Sequence, residues 1–325
     1  MKKSKKKDGV VHASRFQKWK KHGGFFVLFG MLPILLIYLL IRIIPIGETI
    51  YMSLFNWNYI TNTQVFLGFQ NYSKMFHDDL FRTAFWNTTL IAFGMFIIIM
   101  PLSLVIANAL NTGMKGHSVF EALYFLPVIM PMVPVTVIWK WILNTDSGLL
   151  NGFLGLFGVT KQAWLTNPTL ALIVVIVIMI WKNLGYNVMI YLVGLRGIPK
   201  SYYEAAAIDG ANSGQTFRKI SLPLLTPITI YVSVTTLIKG YNVYSLVSIL
   251  ASDIQGAPGH LTRVLVYDMI ENGFRYFKVG YASAEAVILL VVVLILTLIQ
   301  MGIIRERDPK KKHVQNGNVK GGKRS

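Results

Sequence analysis

The chain has 325 residues, of which 54% are apolar and only 14% charged, with no cysteine and a net charge of +18. Globular domains carry about a quarter charged residues; here apolar runs of about 20 residues recur, the length that crosses about 30 Å of hydrocarbon, so a polytopic membrane protein is expected and a soluble core excluded. The missing cysteines exclude disulfides and thiolate metal sites, and the basic charge is gathered at the two ends rather than spread over a surface for nucleic acid.

Three regions are expected: a basic cytoplasmic tail (1–24), a six-span body (25–303) and a second basic tail (304–325). Lys2, Lys3, Lys5, Lys6 and Lys7 open the first tail, where Phe16 and Trp19 suit the headgroup level. The apolar stretch 25–44 is too long for a signal-peptide core and no cleavage site follows, so it reads as a retained first span, with Arg42 snorkelling near its outer end. An external segment 56–82 leads to a second span at 84–110. The third, 119–143, contains Pro127, Pro131 and Pro134, which must kink or break it. Broken backbone survives in lipid only under cover, so this span is expected to face the bundle interior. An external loop 144–168 with Trp164 as an interface anchor precedes the fourth span, 169–193. The fifth is 223–250, followed by an external segment 251–278 in which Asp253, Asp268 and Glu271 balance Arg263, Arg275 and Lys278. The sixth is 279–303. Lys115, Arg196, Lys200, Arg218 and Lys219 fall on inner loops, and six spans return the second basic tail to the same side.

The inner loop 194–222 carries the densest local signals. Ser201 and Glu204 have capping-box spacing. Pro199 stops any earlier helix, residues 202–208 are good helix formers, and Gly210 suits a left-handed cap. Asn212 with Gln215 reads as a second, weaker cap for a short helix carrying Phe217 and Ile220 and ending before Pro223. The result is helix–turn–helix. Such a pair either lies on the membrane surface or docks on a partner, and Ala205, Ala206 and Ala207 leave a shallow strip that favours the partner.

Glu204-Ala205-Ala206, Gly210 six residues after the Glu, and Ile220-x-Leu222-Pro223 ten beyond that Gly resemble the signature of the membrane subunits of binding-protein-dependent ABC importers. Trp181-Lys182-Asn183-Leu184-Gly185-Tyr186-Asn187, Leu195-Arg196-Gly197-Ile198-Pro199, Ile208-Asp209-Gly210-Ala211, Phe125-Leu126-Pro127, Asn71-Tyr72 after Gly68, and Gly280-Tyr281-Ala282-Ser283-Ala284 resemble its carbohydrate-uptake branch, the maltose- and glycerol-phosphate-type permeases. The chain departs from the pattern at Gln255-Gly256-Ala257-Pro258, where the branch has Gly-Gly-Gly-Pro, and at Glu285. The resemblance implies an all-α, type I ABC importer permease that does no bond chemistry and sits in the cell membrane with both termini cytoplasmic. It implies as partners a second homologous permease, two ATP-binding subunits that hold ATP and Mg, and an external solute-binding protein. It further implies that Glu204, Ala205, Ala206, Asp209, Gly210, Ile220, Leu222 and Pro223 couple to the ATPase. The stretch 317–324 nearly spells a phosphate loop, but Arg324 stands where Ser or Thr is required, so this chain is expected to bind no cofactor.

Polar residues inside spans are costly and usually face an interior. Tyr186 and Asn187 on span four, Tyr241, Asn242, Tyr244 and Ser245 on span five, and Ser283 on span six are the candidate solute residues. Each has the alternative of an interhelical hydrogen bond, worth about 0.6 kcal/mol. Lys239 and Glu285 are expected either to pair with each other or to meet solute. A secondary transporter or channel fits the spans but gives the Glu-Ala-Ala loop no task. A membrane enzyme would want a His, Asp or Glu cluster, and the expected spans contain no His.

Overall fold

The computed structural model describes residues 24–58, 63–111, 116–251 and 262–305. The basic tails at 1–23 and 306–325, Lys115, Asp253, and the 255–258 and 317–324 stretches lie outside them. The chain divides into two units, one running through Tyr51 and one from Met52 onward.

The first unit is a helical run: α1 (Gly24–Tyr38), a π turn at Leu39–Ile43, and α2 (Ile44–Met52). It is longer than its hydropathy suggested. Arg42 therefore lies ten residues short of the end, within the π turn, rather than near the outer end. The π turn has a physical cause. Pro45 brings no N–H, and its ring crowds the carbonyl one turn back; closing Ile44 N–H onto the Leu39 carbonyl widens the helix just before it.

The second unit opens with the antiparallel strands β1 (Phe55–Asn58) and β2 (Thr63–Phe66), the one sheet among the described residues, with Phe55 facing Phe66 edge-on at 5.3 Å. Next come α3 (Gln70–His77) and α4 (Asp79–Asn111). The third span is broken: α5 (His117–Ile129) and α6 (Met132–Ile142) meet at 100°. The prolines act as expected. The pair does not lie wholly inside, however: Leu123, Ile129, Pro131, Val133 and Trp141 are exposed, and the buried positions are Pro127 before the break and Val135 and Thr136 after it. After the short α7 (Leu149–Gly155), Trp164 donates its indole N–H to Asn151 Oδ1 at 2.8 Å and is half-buried against the core, so it braces this loop.

Helix α8 (Pro168–Arg196) runs parallel to α4. Ile91, Met95 and Ile99 meet Val174, Val175 and Ile178 at one end; Ala107 and Leu110 meet Val188, Leu192 and Leu195 at the other. The chain turns through α9 (Lys200–Ile208), α10 (Ser213–Thr216), a π turn at Phe217–Ser221 and α11 (Leu222–Leu224) into α12 (Thr226–Tyr241). Pro223 does not end the helix. It follows its π turn by two residues, as Pro45 follows its own, with Leu222 N–H closing on the Phe217 carbonyl. The fifth span bends by 69° between residues 224 and 226 and loses helix again at 242–244 before α13 (Ser245–Ala251). α14 (Leu265–Ile270), a π turn at Glu271–Arg275 and α15 (Val279–Arg305) complete the chain. Among the described residues four helices are long and apolar enough to cross a membrane, or up to six spans when each bent pair counts as one.

Gly240 lets α12 close onto α4: a Cβ there would sit 2.6 Å from Ala92 Cα and 2.9 Å from its Cβ. Gly240→Ala is expected to lower stability by about 1–3 kcal/mol, read as a drop in the thermal midpoint of the detergent-solubilised protein. An unchanged midpoint would mean the two helices can separate without cost.

Candidate functional site

The two breaks in the bundle leave backbone groups that helices cannot satisfy. At the end of α5 the carbonyls of the last turn have no partner further along the helix. Lys182, from the middle of α8, supplies one: its Nζ donates to the carbonyls of Pro127, Val128 and Met130 at 2.6, 3.1 and 2.6 Å. The second break, at 242–244, lies opposite. Between them is a cavity of about 260 Å3 lined by Met132, Met179, Lys182, Asn183, Lys239, Asn242, Val243, Tyr244, Ser245 and Leu246. Irregular backbone at membrane depth is tolerated where it lines a wet space; residues 242–244 line this one, and Met132 and Lys182 join it to the first break.

The expected solute residues divide. Asn242, Tyr244 and Ser245 reach the cavity, with Asn242 and Ser245 exposed. Tyr186 stands beside it, its ring 4.1 Å from Lys239 Nζ and its hydroxyl 2.7 Å from that of Tyr231. The other three are buried. Asn187 donates to Thr236 Oγ1 at 3.0 Å and Tyr241 lies 3.3 Å from Thr89 Oγ1, so these two take the interhelical alternative. Ser283 packs inside α15 and does not line the cavity. Lys239 and Glu285 do not pair. Lys239 faces Tyr186, whereas Glu285 accepts from Asn272 Nδ2 at 3.0 Å within the 262–275 return. The motif containing Lys182 and Asn183 was legible, but their place in the cavity was not, because nothing local ties a lysine on one helix to a carbonyl 52 to 55 residues away.

That return is held by charge. Arg263 bonds Asp268 and, at 2.6 Å, Glu271; Arg275 meets Glu271 at 2.8 Å. The charge balance expected of this segment is direct pairing among these residues. Burial alone pulls the Arg263 guanidinium down, but Asp268 and Glu271 outweigh it and hold it above its ordinary value. Asn87 donates to the Arg263 carbonyl at 3.0 Å, and Leu265 N–H donates to Thr88 Oγ1 at 2.9 Å, pinning the return to α4. A second cavity of about 370 Å3 opens here between Tyr244, Tyr267, Ile270, Glu271, Phe274 and Arg275. Tyr244 belongs to both cavities, with its ring 6.4 Å from that of Tyr267.

At the other end, α9 is capped by Pro199 with no side-chain bond. The Ser201–Glu204 capping box does not form: the helix begins at Lys200, so Ser201 is already inside its first turn. Two other expectations for this loop hold, the left-handed Gly210 and the Asn212–Gln215 cap. Gly210 has φ +73, and Gly210 N–H and Ala211 N–H close back on the carbonyls of Ala207 and Ala206 at 3.1 and 2.9 Å. Asn212 and Gln215 form a complete reciprocal capping box. Ala205, Ala206, Asp209, Gly210 and Ile220 line a groove of about 730 Å3 between α9 and the 211–220 segment; Glu204, Leu222 and Pro223 lie outside it. Ala206 is buried, while Ile208 is 87% exposed at the tip, an apolar side chain that the motif reading passed over.

A family model described as the inner membrane component of binding-protein-dependent transport systems matches residues 99–307. The chain belongs to this family. The resemblance read from the Glu-Ala-Ala loop is thereby confirmed. The permease is 33% identical over 270 residues to the probable ABC transporter permease protein YurN of Bacillus subtilis (strain 168), covering 82% of this chain and 91% of that one. It is 30% identical to the arabinooligosaccharides transport system permease protein AraP of the same organism, covering 83% and 85%. It is also 30% identical to the sn-glycerol-3-phosphate transport system permease protein UgpA of Escherichia coli (strain UTI89 / UPEC), covering 85% and 92%. A solved bacterial ABC transporter involved in import of the acidic polysaccharide alginate contains a chain of the same fold, with a TM-score of 0.77 over 89% of this chain and 99% of that one at 22% identity. The fold is that of a type I ABC importer permease.

Proposed function

We propose that this permease is one half of the translocation path of an ATP-driven carbohydrate importer, working with a second homologous permease, two ATP-binding subunits and an external solute-binding protein. The observation that carries the reading is the cavity at the paired breaks, where Asn183, Asn242 and Ser245 offer amides and a hydroxyl and Tyr244 offers an aromatic face. That set suits sugar hydroxyls and the apolar face of a sugar ring. Relatives named for arabinooligosaccharide and glycerol-phosphate transport support it. In this assembly the α9–α10 pair faces the cytoplasm, where both termini also lie, and seats in a cleft of an ATP-binding subunit. Ile208, Tyr202 and the alanines provide its apolar contact, and the Gly210 turn and the Asn212 box hold its shape. ATP and Mg are bound and hydrolysed on the partner; this chain supplies the lever.

Co-expression with the neighbouring transport genes is expected to bring down an ATPase with this chain. Gly210→Val forces a β-branched residue to positive φ, and together with Glu204→Ala it is expected to cut solute-stimulated ATP hydrolysis by about tenfold, a coupling loss of roughly 1.4 kcal/mol. Insertion and yield should be unaffected. Stimulated hydrolysis at the unaltered rate would refute the role of the loop.

A further inference from the structure

The cavity has a charge that the carbohydrate reading does not explain. Two of its ten lining residues are lysines and none is acidic. Lys182 is accounted for, since its ammonium is committed to three carbonyls at the break. Lys239 is not. Its Nζ lies over the Tyr186 ring, and among the described residues no carboxylate stands within ion-pair distance of it. Glu271, which lines the adjoining cavity with Tyr244, is already held by Arg263 and Arg275. A lysine without a counter-ion at membrane depth is costly, and a second cation in the same wall raises that cost.

Resting on the importer reading, we infer that the transported sugar is anionic, and that Lys239 receives its carboxylate or phosphate oxygen as the solute crosses the break between α12 and α13. The neighbours fit this role. Asn242, Ser245 and Asn183 can bond hydroxyls around the charged group, and the Tyr186 face fixes the ammonium while leaving it donors to give. A neutral sugar would fill the same space and leave the lysine without a charge partner.

The test uses the whole importer, reconstituted with its ATPases, second permease and binding protein, and reads solute-stimulated ATP hydrolysis. The probes are neutral malto-oligosaccharides, oligogalacturonates and sugar phosphates. Stimulation by a charged set, and not by the neutral one, is expected; which charged set acts separates carboxylate from phosphate. Lys239→Gln should lower the charged-probe response by about tenfold or more, while Lys239→Arg, which keeps the charge, should retain most of it. Should the glutamine variant fail to assemble, the charge preference of the unaltered protein decides alone. Stimulation by neutral probes alone, or an equal response of the glutamine and arginine variants, overturns the inference and leaves the importer reading standing. No stimulation by any sugar would remove both.

Discussion

Lys182→Met should be among the most damaging single changes in the helical bundle. Methionine keeps the apolar stem of the side chain but removes the ammonium that holds the Pro127, Val128 and Met130 carbonyls. Hydrogen bonds from a charged donor contribute about 1.5–3 kcal/mol each, and orphaned buried acceptors cost about 1–3 kcal/mol. The three bonds come from one ammonium and share its single desolvation cost, so a net loss of about 2–4 kcal/mol is the reasonable sum. The local consequence is loss of the 100° elbow between α5 and α6. A lower thermal midpoint and faster proteolysis near residue 130 are expected, with Lys182→Arg recovering part of the loss. A methionine variant as stable as the parent would show that the prolines hold the elbow unaided.

Arg263→Met is expected to cost as much for a different reason. The Arg263 side chain is 5% exposed and lies between Asp268 and Glu271, whose side chains are 2% and 10% exposed. Removing the cation leaves two buried carboxylates facing each other, a loss of about 3–5 kcal/mol. It also loosens the return from α4, because the Arg263 carbonyl takes the Asn87 amide and the adjoining Leu265 N–H reaches Thr88. Adding Asp268→Asn to the variant removes one of the two stranded charges and should recover part of the loss in thermal midpoint. No recovery would mean that lost packing, not lost charge, is the cause.

Where a feature depends on a few neighbouring residues, it was legible in the chain. The proline cluster at 127, 131 and 134 marks the break in the third span, which falls at Pro131 while Pro127 stays inside α5, because the missing donor and the ring clash are local. The Asn212–Gln215 box and the left-handed Gly210 are likewise set within one turn of chain. Ser201 shows how narrow that margin is: starting α9 at Lys200 was enough to undo a cap whose spacing was correct. The π turns before Pro45 and Pro223 lie at the same limit, since the sequence announces the strained proline but not how the helix absorbs it.

The amino-acid sequence alone determined the membrane class, the break in the third apolar stretch and the helix–turn–helix between α8 and α12. All of these rest on composition, run length or contacts within a turn. The tertiary structure alone decided which polar side chains share a space. Asn187 and Tyr186 are adjacent in sequence, and a helical step of about 100° per residue sends one to Thr236 and the other to the ring contact with Lys239. Lys239 and Glu285 were natural partners by charge, but α12 and α15 place them against different neighbours. Helix rotation and packing set those directions over distances the local sequence does not encode, and they turn two separate breaks into one cationic cavity.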